Sequence, residues 1–131
     1  PCIPEGAGVW GEEILRDRDM ENAVTFLSQA NRGSVYLKAG HLDKTELTDL
    51  FYDASDASLT RMCAKRIETG NTHGTGCTLS SALAAYLAKG TPMKEAARLA
   101  RSYVYEAIGK GAAYQLGKGH GPVHHFYAFW E

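Results

Sequence analysis

The run "HGTGCT", His73 to Thr78, sets a thiol and two glycines immediately ahead of an alanine-rich apolar stretch. Gly74 and Gly76 open backbone dihedrals closed to other residues and allow close approach to a ligand. A helix starting near Gly76 leaves its first amide hydrogens without intrahelical acceptors, and its dipole adds about half a positive charge at the same place. Phosphate oxygens suit such a position, and a cysteine there is favoured as its thiolate. The chemistry suggested is phosphoryl transfer, with Cys77 accepting a proton from a substrate hydroxyl while nearby amides stabilise the group in transit. The plainer alternative is a tight glycine turn followed by a small packed cysteine. The residues alone leave both open, although a Walker A loop is excluded because its spacing and Gly-Lys-Ser/Thr ending are absent.

Several elements must position that loop. "DMENAVTFLSQA" (Asp19 to Ala30) spaces Met20, Ala23, Val24 and Leu27 as one helical face, with Asp19 as a cap. Ser34 to Lys38 reads as a buried strand closed by Ala39-Gly40, and helix followed by strand suggests an α/β unit. Leu50 to Asp53 and Ser58 to Ile67 flank the turn formers Ala54 to Ala57, which predicts an antiparallel hairpin. Helices are expected from Gly76 to about Lys89 and from Pro92 to about Tyr114. The second carries a stripe of Met93, Ala96, Ala97, Ala100, Val104, Ala107 and Ile108, and Gly90-Thr91-Pro92 separates the two. The tail "GKGHGPVHHFYAFWE" predicts a loop and then a packed aromatic segment.

Composition excludes some function classes. With 131 residues, 44% hydrophobic and 22% charged, the chain is long enough for one domain with its own core. A net charge of -1 gives no electrostatic footprint for nucleic acid, and the aromatics Trp10, Tyr103, Tyr105, Tyr114, Phe126, Phe129 and Trp130 are not interleaved with basic residues. No apolar run approaches the ~20 residues of a membrane span. The three cysteines, Cys2, Cys63 and Cys77, form no disulfide framework and fit a reducing, cytoplasmic setting. His73, His120, His124 and His125 show no zinc-site spacing with Cys63 or Cys77. The chain opens on "PCIPEG" without an initiator methionine, which predicts a piece of a longer protein.

The run "NTHGTGCTLSSALAA" resembles the signature of the hydroxymethylpyrimidine and phosphomethylpyrimidine kinases of thiamine biosynthesis, in the ribokinase-like superfamily. "VYLKAGHL" (Val35 to Leu42) is similar to that family's Val-Leu-Val-Lys-Gly-Gly-His-Leu strand and loop, and "GKGHGPVHHF" (Gly117 to Phe126) to its Gly-x-Gly-x-Gly-Pro-Val/Leu-x-His-Phe ending. The resemblance implies an α/β fold, a ribokinase-like three-layer α/β/α sandwich of which residues 1–131 are the carboxy-terminal part. It implies ATP- and magnesium-dependent phosphorylation of 4-amino-5-hydroxymethyl-2-methylpyrimidine or its monophosphate. Pyridoxal or pyridoxine kinase is the alternative substrate class, since related proteins with the same cysteine loop accept B6 vitamers. A different class remains open too: a non-catalytic nucleotide-binding or assembly fragment, whose open sheet edges would favour a homo-oligomer or another partner.

Carried onto this sequence, the resemblance makes Cys77 the base where most of the superfamily places an aspartate, with the amides of Gly74, Thr75 and Gly76 as the anion hole. Glu5 matches the glutamate of the superfamily's Asn-x-x-Glu motif, which organises Mg2+ near the triphosphate. Here the motif reads "CIPE", with Cys2 where asparagine is usual, so a weak thiol replaces a strong donor and acceptor. Lys38, Thr69 and His73 are the nucleotide-side candidates. Their plainer alternatives are a solvated lysine, a strand threonine and a loop-stabilising histidine.

Overall fold

Residues Ile3–Trp10, with a proline and two glycines in eight positions, read poorly as a helix and nonetheless form one, α1. Two features outweigh the composition. The Glu5 carboxylate accepts the Cys2 backbone N–H at 2.8 Å, closing the amino end. Gly6 sits where an added Cβ would lie 3.0 Å from Leu37 Cδ1, so its lack of a side chain lets the helix come close to the sheet. Gly11, at φ 90°, ends the helix in the left-handed region.

The computed structural model describes residues 1–40 and 45–130, so His41 and Leu42 of the "VYLKAGHL" segment lie outside the described residues. The chain divides into two compact units, Pro1–Arg66 and Ile67–Glu131. In the first, α1 is followed by α2 (Asp17–Asn31) and by an antiparallel sheet of β1 (Val35–Leu37), β2 (Glu46–Asp53) and β3 (Ser58–Lys65), in that order. The expected helix is there, two residues longer at its start and one at its end. The buried strand is confined to three residues, with Lys38 forming a single parallel bridge to Cys2. Register pairs Val35 with Tyr52 and Leu37 with Leu50. The hairpin also forms, but β2 starts at Glu46 rather than Leu50, because Glu46 to Asp49 pair with Lys65 to Met62. Glu46 to Asp49 are exposed or half-buried and polar apart from Leu47, so they carry little apolar signal.

Met20, Ala23, Val24 and Leu27 of α2 pack with Ile3, Ile14, Leu37 and Leu50 into the core of this unit. Fully burying such side chains contributes about 1.5–3 kcal/mol each. Asp53 opens the hairpin turn and is buried, accepting the Ser55 amide at 2.9 Å and the Ser55 hydroxyl at 2.7 Å. Ala57 takes φ 55°, a left-handed conformation that asparagine or glycine would adopt more easily.

In the second unit, α3 (Thr75–Ala88) packs against α4 (Met93–Gly111). The expected break between them is a Schellman turn. Gly90, at φ 82°, donates its N–H to the Leu87 carbonyl at 2.9 Å, and Thr91 donates to Tyr86 at 3.1 Å. Pro92 lies just outside α4, at ψ 145°, rather than as its first helical residue. The tail from 112 to 130 has no helix or strand, and its aromatic end is not a packed segment. Phe126, Phe129 and Trp130 are 54%, 83% and 63% exposed, with Phe126 and Trp130 stacked on one another at 5.1 Å. The apolar positions of α4 are met instead by α3 and by Val123 of the tail, while Trp130 also packs on His124 at 5.5 Å and Tyr127 on Tyr103 at 5.6 Å.

The caps of α1 and α2 make the first unit sensitive to acid. The Cys2 N–H bond holds the Glu5 carboxyl below its ordinary 4.5, and the Arg16 side chain, aided by the Leu15 and Arg16 amides, holds Asp19 below 3.8. A carboxylate with a lowered folded-state pKa adds stability that is complete above its ordinary value and is lost as pH falls through the folded one. Titrating from pH 6 to pH 2 is therefore expected to fray the first turns of both helices. The Cys2 and Arg16 amide resonances should move together with the carboxyl titrations.

Candidate active site

The glycine-cysteine loop begins with Gly74 at φ 83° and ψ 3°, the N-cap of α3. No Cβ would clash there, so the glycine answers to the left-handed turn rather than to crowding. The helical ladder opens with the Thr78 amide on the Gly74 carbonyl at 2.9 Å. The amides of Gly76 and Cys77 precede that first rung, while the Thr75 amide leans on the Thr72 carbonyl at 3.4 Å. Cys77 is the third helical residue and is exposed, as is Gly76. The turn thus places an accessible thiol on the same helical start as two amides that face no intrahelical acceptor.

Below this surface the loop is tied to the carboxy-terminal tail. His73 donates its amide to the Gly121 carbonyl at 3.1 Å and forms a parallel bridge with Pro122. Asn71, buried, donates through Nδ2 to Gly111 at 2.8 Å and Tyr114 at 2.7 Å, with a longer bond to Ala112. Thr69 accepts the Asn71 amide at 3.1 Å and donates to Ala112 at 3.5 Å. A Cβ on Gly121 would lie 2.0 Å from Asn71 Oδ1, and one on Gly111 would lie 2.9 Å from the His124 backbone nitrogen. Both glycines are therefore contact surfaces for the clamp. Thr78, also buried, donates its hydroxyl to the Gly74 carbonyl at 2.8 Å and lies 3.0 Å from Nε2 of His125.

The first unit holds the remaining candidates. Lys38 follows β1, is half-buried, and donates its amide to the Pro1 carbonyl at 2.9 Å. Its positive charge is the last of the influences that lower the Glu5 carboxyl, after the Cys2 backbone N–H, the Cys2 side chain and the charge of the amino terminus. Asp49 of β2 accepts the Ala39 amide at 2.8 Å and the Tyr36 hydroxyl at 2.9 Å, which fixes the backbone just beyond Lys38. Ala39 is fully buried, and it is not one of the left-handed non-glycine residues, Arg32 and Ala57. The glycine common at this position is thus not required for backbone reasons. Thr69, His73, Gly74, Thr75, Gly76 and Cys77 come together in the second unit, Glu5 and Lys38 in the first. Among the described residues, no group of three or more His, Cys, Asp or Glu side chains could hold a metal ion.

Asp49, Asn71 and Thr78 were not singled out in the sequence. A buried asparagine bonding to backbone carbonyls forty residues away has no periodic pattern, and the only hints were the glycines at 111 and 121 that it and the tail press upon. No helix among the described residues is long and apolar enough to cross a membrane.

A family model described as phosphomethylpyrimidine kinase matches residues 1–124. The hydroxymethylpyrimidine/phosphomethylpyrimidine kinase of Rhizobium meliloti (strain 1021) is 43% identical over 132 residues, spanning 100% of this chain and 49% of that protein. Pyridoxal kinase from Staphylococcus aureus, in complex with AMP-PCP and pyridoxal, superposes with a TM-score of 0.90 at 30% identity, covering 98% of this chain and 47% of that one. Phosphomethylpyrimidine kinase from Clostridium difficile 630 superposes at 0.63 with 33% identity, covering 82% and 41%. The chain spans about half the length of the curated relatives it matches. The fold is α/β of the ribokinase-like kind.

Proposed function

This chain belongs to the phosphomethylpyrimidine kinase family, and on that premise we propose that it carries the phosphoryl-transfer loop of an ATP-dependent kinase acting on 4-amino-5-hydroxymethyl-2-methylpyrimidine or its monophosphate. The observation that carries this reading is the left-handed turn at Gly74 with an exposed Cys77 thiol and the early amides of α3 beside it. In the reaction, the Cys77 thiolate takes the proton of the substrate's hydroxyl as that oxygen bonds to the γ-phosphorus. The bond from phosphorus to the departing ADP oxygen breaks. The amides of Gly76 and Cys77, with that of Gly74 and that of Thr75, which is shared through a long bond to the Thr72 carbonyl, supply fixed dipoles for charge developing on the phosphoryl oxygens. When the substrate is the monophosphate, its phosphate oxygen is the attacking atom.

Lys38 serves as a point charge on the nucleotide phosphates, and Thr69 and His73 sit on the nucleotide side of the loop. Thr69 and His73 act through the backbone they hold, since the Thr69 hydroxyl and the His73 amide are engaged within the chain. Glu5 fits a magnesium ion held mostly by water and phosphate. It is one exposed hard-oxygen ligand kept ionised by the Cys2 N–H, and such ions commonly take one or two carboxylates. Magnesium, when bound, would neutralise charge on the triphosphate oxygens. Three free cysteines suit a reducing cytoplasm as the setting of such a kinase, with ATP and a small pyrimidine as its partners.

Pyridoxal is the competing substrate, favoured by the TM-score of 0.90 to a pyridoxal kinase. Steady-state phosphorylation of the hydroxymethylpyrimidine and of pyridoxal by the protein carrying these residues separates the two. A higher kcat/KM for the pyrimidine is expected, and equal or better turnover of pyridoxal would overturn the substrate assignment. The 131 residues expressed alone are expected to bind Mg-ATP weakly and to turn over no pyrimidine.

A further inference from the structure

The loop that starts α3 is held by a relay that ends on a histidine from the far end of the chain. The Thr78 hydroxyl has one hydrogen. The bond to the Gly74 carbonyl, at 2.8 Å, uses it, so the contact with His125 Nε2, at 3.0 Å, must run the other way. His125 therefore carries a proton on Nε2 and donates it to Thr78 Oγ1, and Thr78 in turn donates to the carbonyl of Gly74. His125 is itself anchored, because the Tyr103 hydroxyl of α4 donates to its backbone carbonyl at 2.8 Å. One residue before it, the His124 amide bonds the Ala107 carbonyl of the same helix at 2.9 Å.

We propose that His125 is a positioning residue of the phosphoryl-transfer loop: by donating to Thr78 it fixes the orientation of the Gly74 peptide and of the amides that follow it. This rests on the kinase reading for its catalytic consequence and on the hydrogen-bond geometry for its structural one. The reason it matters is electrostatic preorganisation. Amides aimed at a developing charge lower the barrier only if they need not reorient as the charge forms. Gly74, with no side chain and a left-handed φ of 83°, has little intrinsic preference for that one orientation. The Thr78 hydroxyl doubles the hold on the Gly74 carbonyl already taken by the Thr78 amide, and His125 sets where that hydroxyl points. The role needs a donor at Nε2 and no titration, since neutral imidazole with its proton on Nε2 and imidazolium both donate there.

That distinction makes the test specific. His125→Gln places an amide N–H near the position of Nε2, whereas His125→Asn places it near Nδ1. In the enzyme carrying these residues, His125→Ala and His125→Asn are expected to lower kcat by about fivefold to tenfold, with KM for both substrates within twofold. His125→Gln is expected to restore kcat with a pH profile that overlays the wild type. Thr78→Val should reproduce His125→Ala, and the double variant should be no worse than either single one. Equal loss in the Gln and Ala variants, or a kcat pH profile that loses a limb in His125→Gln, would overturn the proposal in favour of bulk packing or proton transfer by His125.

A second arm needs no activity. Hydrogen exchange at the Thr78 amide, which bonds Gly74, is expected to quicken by about fivefold to tenfold in His125→Ala and to stay at the wild-type rate in His125→Gln. If the wild type phosphorylates no pyrimidine, the kinase reading fails while this arm still decides the relay. If exchange is unchanged in His125→Ala, the relay itself is wrong.

Discussion

Replacing Cys77 by alanine is expected to lower kcat for pyrimidine phosphorylation by about 10²–10⁴-fold, the range a positioned general base contributes. ATP affinity should stay within a few fold. The split follows from what the thiol touches. Cys77 is the third residue of α3 and exposed, so its truncation is expected to leave the early amides of that helix where they are. Steady-state kinetics and ATP titration on the same preparation check both halves. Cys77→Asp restores a base of the type most of the superfamily uses and is expected to recover part of the loss. Unchanged turnover in Cys77→Ala would remove the thiol from the reaction and leave only the amides of the helix start.

Asn71→Ala is expected to destabilise the protein by about 1–3 kcal/mol, because it strips the donor from the buried Gly111 carbonyl and from the partly buried Tyr114 carbonyl. Urea unfolding should show a lower midpoint with an unchanged slope. Asn71→Asp is the sharper variant. It keeps the shape and replaces the Nδ2 donor by an anionic oxygen aimed at the same carbonyls, so it is expected to be at least as damaging at neutral pH. An exposed asparagine would give changes within about 0.5 kcal/mol for either substitution, and that result would contradict the buried clamp.

What could be read from the residues alone divides along a physical line. α2, α3 and α4 were legible because their apolar residues recur at helical spacing and their ends carry Gly90 or an acidic cap. The hairpin was legible from its turn formers, although its first strand was shortened. α1 was not, because its helix is favoured by a close approach of Gly6 to Leu37 and by Glu5 reaching back to Cys2, both of which are tertiary or capping effects that composition hides. The glycine-cysteine loop announced itself through residue type. The residues that hold it did not: Asn71 and His125 bond across forty or more positions to partners no local pattern indicates. In the sequence His125 shows no zinc-site spacing and stands in the "GKGHGPVHHF" ending without a role of its own. The resemblance points to the family, and the hydrogen bonds give His125 of this chain's ending a partner in Thr78.

The seam between α3 and α4 is lined on the α4 side by Ala96, Ala97, Ala100 and Ala107, each with no exposed surface. Alanines allow two helices to lie close, but they are shallow teeth. Where leucines interlock, sliding one helix past another must lift each side chain out of its slot; over a run of methyl groups the same slide meets little resistance. With Leu79 of α3 and Val104 of α4 as their larger buried apolar side chains, these helices have few teeth to resist such a slide. A further restraint acts at one end, where the tail lies beside Gly111 and Ala107 and bonds the loop ahead of α3. Cys77 rides on the helix that this restraint holds, so the last turn of α4 and the tail would act together as a stop for the proposed base.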